Sequence, residues 1–234
     1  MRRVTVSHNR GGVMTPETQD LMTLAQGGAL AGIGIDKKVS RQAFESFLQD
    51  GRAPLMMDAM ARGTFPTGYL ALAVAIGAIQ PPEGGRLHVL STPVQHDRPW
   101  QEALEAAGPQ TPSDYVVRQV GDQYEPTSTG TTEEEVLLVQ GYGSFDDGIA
   151  WAEQYDLDRT KPRRIFAAAE RHPNLHRVLG MNPMYIVATQ ECTFLGGRLV
   201  CGVWFKDDKR ESDLYWVGLV GDDDDWLGFA RKRK

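Results

Sequence analysis

The sequence predicts an α+β protein: a helical N-terminal region, then a C-terminal module of two helices packed on a four- to five-stranded antiparallel sheet. Helix start signals recur within the first 80 residues. After residue 136, two helical patterns precede four short apolar segments separated by turn residues. We therefore divide the chain into a mainly helical region (1–80), a proline-rich acidic connector (81–135) and an α+β module (136–234).

The N-terminal region carries two helix start signals. Thr15 is a favourable N-cap with Pro16 at the first helical position. Ser40 opens a second helical pattern, which Gly51 is placed to end. Both patterns predict helices of ordinary length.

The connector differs from its neighbours in charge and in proline content. It holds 3 basic and 10 acidic residues, a net charge of −7, whereas the whole chain carries −6. Prolines interrupt it repeatedly, so we expect one helix, Trp100 to Ala107, and two short extended segments, Leu87 to Leu90 and Tyr115 to Val120.

Two helices open the C-terminal module after a first strand. Ser144 and Asp147 have capping-box spacing, with Asp in place of the usual Glu. We expect Thr160 to cap the second helix, which runs from Pro162 to about Arg171. It ends before the His172-Pro173 pair, because proline disfavours helical geometry in the residue before it.

Five apolar segments are predicted strands: Val136–Val139, Met184–Gln190, Leu199–Phe205, Leu214–Val220 and Trp226–Arg231. The connections between the last four are short, which predicts an antiparallel meander. A two-residue turn at Gly196-Gly197 would pair Cys192 with Cys201. That pairing permits a disulfide, whereas a reducing cytosol favours two buried thiols.

Several functional classes find no support in the sequence. The longest apolar run, Tyr69 to Ile79, is shorter than the ~20 residues needed to cross a bilayer. The start of the chain lacks the apolar segment of a secretory signal, so we expect a cytoplasmic protein. No region other than the terminal residues 231–234 clusters basic side chains, which argues against nucleic-acid binding.

No catalytic or metal-binding motif was found. The chain has no GxSxG, P-loop or HExxH sequence. His172 and His176 lie four apart, but Pro173 between them breaks the helical spacing that a zinc pair needs. The acidic run Asp222 to Asp225 lacks the alternation and the closing Glu of an EF-hand. We therefore expect no metal, no cofactor and no catalytic residue.

The predicted binding site is the polar segment 206–213 together with the acidic turn 222–225. Polar loops beside aromatic residues are typical of recognition sites. The candidate ligand-binding residues are Lys206, Lys209, Arg210, Glu211, Asp213, Tyr215, Asp223, Asp224 and Trp226.

The order of several short motifs resembles a known module. The motifs are Val136-Leu137-Leu138-Val139, Ser144-Phe145-Asp146-Asp147, Ile165-Phe166-Ala167-Ala168-Ala169, His172-Pro173-Asn174-Leu175, Asn182-Pro183, Leu214-Tyr215-Trp216-Val217 and Phe229-Ala230-Arg231-Lys232. Over residues 100–233, and most clearly 136–233, they resemble the closing module of uncharacterised proteins from environmental small-genome bacteria. That module in turn is similar to the C-type-lectin-like fold of diversified binding proteins. The Glu-Pro-Asn and Trp-Asn-Asp calcium motifs of sugar-binding lectins are missing here.

Three functional hypotheses follow. The first is a non-enzymatic protein that binds a protein or small-molecule ligand through exposed loops of the C-terminal module. The second is an enzyme or enzyme subunit with a cleft between the N-terminal region and that module. The third is a structural or assembly component.

Overall fold

The computed structural model describes residues 68–126 and 128–232, together with Gln49 and Pro66. From Pro66 onward these residues belong to one compact unit, 66–234. The helices predicted to begin at Thr15 and Ser40 lie outside the described residues. No helix in the described part is long and apolar enough to cross a bilayer.

The described part of the chain forms five α-helices and seven strands. The helices are α1 (Tyr69–Ala75), α2 (Trp100–Ala107), α3 (Phe145–Gln154), α4 (Pro162–Arg171) and α5 (Leu175–Val178). The strands are β1 (Arg86–Gln95), β2 (Thr131–Gln140), β3 (Leu157–Arg159), β4 (Met184–Phe194), β5 (Gly197–Lys206), β6 (Lys209–Trp216) and β7 (Asp225–Arg231).

All seven strands belong to one mixed sheet. Its order is β1-β2-β7-β4-β5-β6, and β3 pairs with β7 beside this path. Strands β4 and β7 run parallel, and every other pair is antiparallel. The α+β class is thus confirmed, whereas the predicted four- to five-stranded antiparallel sheet with two helices is wrong.

The insertion of β7 explains the error in topology. A meander would have left β7 beside β6, but β7 lies between β2 and β4 at the centre of the sheet. Six of its seven residues are buried, which suits a strand covered on both faces. Strand β1 and helix α2 lie in the predicted connector but belong to the same unit, which therefore begins well before residue 136.

The sheet separates two hydrophobic layers. Alternate residues of β2 face opposite sides, with Val136 and Leu138 in one layer and Leu137 and Val139 in the other. Helices α2 and α4 pack over the first layer, whereas α1 and α3 pack over the second, against the β2 and β7 half of the sheet.

The two predicted helix starts differ in outcome. Ser144 caps α3 as expected, because its Oγ accepts a hydrogen bond from the Asp147 N–H at 3.2 Å. Helix α4 spans the predicted residues, but its N-cap is Lys161 and not Thr160. The Thr160 N–H instead donates to Thr189 Oγ at 2.7 Å, which ties the start of α4 to β4.

The β4–β5 hairpin turns one residue earlier than the glycine pair predicts. Leu195 and Gly196 form the turn, with φ of 49° and 79°, and Gly197 is the first residue of β5. The ring of Trp216 lies against Gly197, where an added Cβ would come within 1.8 Å of its Cζ3 atom. Gly197 is therefore needed for close packing against Trp216. Leu195, together with Gly196, adopts the left-handed backbone conformation of the turn.

This turn changes the predicted cysteine pairing. Cys192 lies opposite Leu199, and the pairing with Cys201 is wrong. Between Val187 and Glu191 the register shifts through a bulge, and Cys201 lies opposite Leu214 of β6. Both cysteines are buried free thiols.

Three other predicted segments need correction. Residues 206–213 are not a loop: Lys206 pairs with Lys209 across a turn of two residues, and β6 follows at once. The strand predicted to end at Val220 ends at Trp216, and 217–219 form a 3-10 turn. The predicted extended segment Tyr115 to Val120 contains a 3-10 turn at 116–119. Residues 206–213 are all polar, so they lack the alternation of polar and apolar residues by which a half-buried strand is recognised.

Candidate functional site

The strand β6 divides the predicted site residues between the two faces of the sheet. Successive side chains of a strand point to opposite faces. Glu211, Asp213 and Tyr215 therefore share one face. Arg210 lies on the other, where its guanidinium donates to the carbonyl of Ala169 in α4 and burial lowers its pKa.

Two aromatic rings on neighbouring strands lie beside Tyr215. Tyr185 of β4 contacts Tyr215 edge-on, with ring centroids 4.6 Å apart. It also contacts Trp204 of β5, at 6.0 Å between centroids. All three side chains are half-buried, so each ring presents part of its surface to solvent.

Strand register brings this group together. Tyr185 pairs with Trp204, which pairs with Glu211, so one row crosses β4, β5 and β6. In the next row Gly202 lies opposite Asp213 and has no side chain to fill the space. The described α-helices on this face pack mainly against β1, β2, β3 and β7, which leaves most of the β4–β6 half for the rings, beside the 3-10 turn at 217–219 that contacts β5.

We call this surface the acid–aromatic face. It consists of Tyr185, Trp204, Tyr215, Glu211, Asp213 and the neighbouring Asp224, all of them half-buried.

The carboxylates of this face have no basic partner. In the described residues no Lys or Arg nitrogen lies within 4 Å of Glu211, Asp213 or Asp224. Burial raises the pKa of Asp213, and Glu211 adds to the rise, although a hydrogen bond from the Leu214 N–H opposes it. Burying a carboxylate without a counter-ion costs free energy.

The pKa of Tyr185, at the centre of the face, also shows the effect of these carboxylates. Burial raises the pKa of Tyr185 above its usual range, and the negative charges of Asp213, Asp224 and Asp225 raise it further. The negative charges that disfavour the ionised form of Tyr185 would favour a positive charge bound beside it.

The predicted lysines lie at the rim. Lys206 is exposed, and its Nζ lies 5.6 Å from the centroid of the Trp204 ring, within cation–π range. Lys209 is exposed at the first position of β6. A positive group belonging to the protein therefore already lies near one ring of this face.

The remaining predicted residues lie apart from the face. Trp226 is 1% exposed in the core, where its indole N–H donates to Met181 Sδ at 3.0 Å. Asp223 is exposed, and its backbone carbonyl accepts a hydrogen bond from Gln140. Buried Asp225 organises the acidic turn, since its carboxylate accepts the N–H groups of Gly221 and Asp222.

Sequence reasoning missed Tyr185 and left Trp204 outside the list. Their place in the site depends on strand pairing, which local patterns do not specify. Residues 209–213 of β6 are all polar, so no alternation of polar and apolar residues marked this segment as a strand. Read as a strand, that segment would have separated the two faces.

Two further predictions concern metals. No group of three His, Cys, Asp or Glu side chains in the described part of the chain is arranged to hold a metal ion. His176 is buried at 2% exposure, and its Nε2 lies 3.0 Å from the backbone oxygen of Asp207. It therefore serves the packing of α5 against the β5–β6 turn.

The chain was also compared with known proteins. No protein-family model, no curated protein and no solved structure matches it. The resemblance to a C-type-lectin-like module stays a prediction, and the acid–aromatic face has to be interpreted from its own chemistry.

Proposed function

We propose that the protein is a non-enzymatic binding protein whose acid–aromatic face holds a basic segment of a partner protein in the cytoplasm. The observation that carries the proposal is a cluster of three half-buried rings in contact with one another, on the same face as carboxylates that have no basic partner. An arginine or lysine side chain would satisfy both groups at once.

Simple energetics support a cationic partner. A cation over an aromatic face contributes roughly 0.5–2 kcal/mol, more as water is excluded. A charge-assisted hydrogen bond from a guanidinium to a carboxylate adds about 1.5–3 kcal/mol. Two such side chains on one segment would contribute about 4–10 kcal/mol before the cost of association and ordering, which is of similar size, so we expect weak binding that several contacts strengthen.

The shape of the site supports a protein segment over a free small molecule. Small-molecule sites are concave and enclose most of their ligand. The acid–aromatic face extends across three adjacent strands, with Trp204 and Glu211 in one row and Asp213 in the next. A surface of this kind suits several side chains of an extended partner.

The test measures binding of a fluorescently labelled hexa-arginine peptide by anisotropy, with hexa-glutamate as the reference peptide. We expect Asp213→Asn to weaken hexa-arginine binding about tenfold, the effect of losing roughly 1.4 kcal/mol. Lys206→Met should strengthen it, because the competing positive charge near Trp204 is removed.

A matched control distinguishes binding at the acid–aromatic face from a general attraction of the cationic peptide to a protein of net charge −6. Glu102 lies exposed on α2, which packs on the other side of the sheet from the face. Glu102→Gln therefore removes the same charge as Asp213→Asn without altering the face. The control should leave the affinity within twofold. Equal losses in the two variants, or no binding of hexa-arginine by the unaltered protein, would refute the proposal.

A further inference from the structure

A cavity lies on the opposite side of the sheet from the acid–aromatic face, over the layer that α4 covers. Its volume is about 530 Å³, within the range of small-molecule sites. Residues of β1, β2, α2 and α4 line it, together with Arg98 and Pro173 beside these elements. We call it the arginine pocket, after Arg98, Arg163 and Arg171 in its wall.

Helix α4 supplies the pocket with one continuous stripe of side chains. Arg163, Ala167 and Arg171 are spaced four residues apart and therefore lie on the same helix face. The small Ala167 leaves room between the two arginines. Pro93 of β1 and Ala103 of α2 add apolar wall.

The positive charges of the pocket are only partly balanced. Arg98 pairs with Glu170 at 2.6 Å, and that pair is neutral. Arg163 and Arg171 form no ion pair with any residue that the structure describes. The wall therefore carries three arginines against one glutamate, an excess of positive charge in an acidic protein.

The contrast between neighbours on α4 makes the imbalance clear. Arg164 forms an ion pair with Glu134, whose side chain is only 4% exposed. Arg163 has no such partner, although it is half-buried and its guanidinium carbon lies 5.9 Å from the centroid of the Trp100 ring.

Arg163 is held in place by groups that do not neutralise it. Its Nη1 donates to the carbonyl oxygen of Arg98, and its buried Nε has no hydrogen-bond partner. Burial lowers its pKa, whereas the more distant Glu125 and Asp97 act to raise it. A fixed, half-buried guanidinium with no described carboxylate within ion-pair distance is suited to binding an anion from solution.

We propose that the arginine pocket binds a small organic anion, a carboxylate or a phosphate group joined to an apolar body. The acidic group lies against Arg163 and Arg171, and the apolar body fills the space beside Ala167, Ala103 and Pro93. This site is independent of the acid–aromatic face and does not depend on the function proposed for it.

The test is isothermal titration calorimetry of the full chain at low, fixed ionic strength. The probes are phenyl phosphate, benzoate and inorganic phosphate. Phenyl phosphate or benzoate should bind at least fivefold more tightly than inorganic phosphate, because only the aromatic probes use the apolar wall. Whichever of the two binds more tightly identifies the acidic group. Absence of heat with all three probes would overturn the proposal.

Two variants locate the site, and one serves as control. Arg163→Gln should weaken binding of the aromatic probe at least tenfold. Ala167→Leu should do the same without any change of charge, because the larger side chain fills the cavity. Arg159→Gln removes a charge from β3, where Glu191 keeps its second partner Arg198, and should leave the affinity unchanged.

The outcomes separate the possibilities. Equal binding by the protein and by both pocket variants would show a surface ion effect and overturn the proposal. An equal loss in Arg159→Gln would do so too. Asp213→Asn should bind the aromatic probe with unchanged affinity. The two proposals can therefore fail independently, because each is tested by variants that leave the other site intact.

Discussion

Thr189 provides the sharpest test of the central pairing of β4 with β7. Its side chain is fully buried, and its hydroxyl makes two hydrogen bonds. It donates to the carbonyl of Gly228 in β7 at 2.7 Å and accepts the N–H of Thr160 at 2.7 Å. One hydroxyl thus connects β4, β7 and the segment that leads into α4.

We expect Thr189→Val to destabilise the protein by about 2–6 kcal/mol. Valine has nearly the same shape, so packing changes little. The Thr160 N–H and the Gly228 carbonyl each lose a buried partner, at roughly 1–3 kcal/mol per group. The measurement is the free energy of unfolding from urea titrations followed by circular dichroism.

A matched substitution lies next to it in space. Thr160 is also fully buried, but its own hydroxyl oxygen has no hydrogen-bond partner. Thr160→Val should therefore be neutral or slightly stabilising, because it removes a polar atom that is buried without compensation. If the two valine variants had the same stability, the hydrogen bonds of Thr189 would not hold the sheet together and the reasoning would be refuted.

Three further predictions concern the turn, the thiols and the site. Leu195→Asn should raise the free energy of unfolding in urea by about 1 kcal/mol, because Leu195 has φ of 49° and asparagine tolerates that region better; no gain would contradict it. A hydrogen bond from Cys201 is the largest cause that lowers the pKa of Cys192 to about 7, so Cys201→Ala should raise it in a thiolate titration at 240 nm, and an unchanged titration would argue against that bond. The folded-state pKa of Asp213 is raised, so stability falls as pH rises from the unfolded value through the folded one. Asp213→Asn should flatten that part of the stability profile and be more stable at pH 7, and a steeper fall would contradict the sign.

Local signals predicted elements far better than partners. Helix α4 begins at Pro162 and ends at Arg171 as expected, because proline acts on the residues beside it. The strand at Trp226 was also located correctly. Its neighbours were not, because β2 lies almost a hundred residues earlier in the chain and no short pattern records the pairing.

Some of the missing information was nevertheless present in the residues. The run Trp226-Leu227-Gly228-Phe229-Ala230 has no polar alternation, which is typical of a central strand and argues against an edge position. The hairpin register had no such signal. It depends on Trp216, which lies against Gly197 from another strand, so only the tertiary structure decides which glycine forms the turn.

The outer edge of β6 bears on how a partner could approach the acid–aromatic face. An exposed edge strand can accept a further strand through its free backbone groups. Here the Arg210 N–H donates to Gln110 Oε1 at 2.9 Å, and the Ser212 N–H donates to Thr111 Oγ at 2.7 Å. The segment that follows α2 therefore occupies the edge.

This arrangement restricts the mode of binding. The alternation of β6 uses its even positions to hold the segment at 108–111 and its odd positions to present Glu211, Asp213 and Tyr215. A partner cannot extend the sheet at residues 210–212 without displacing those contacts. It has to meet the face through its side chains, and for this reason the charge of the partner, more than its capacity to form a strand, should determine what binds.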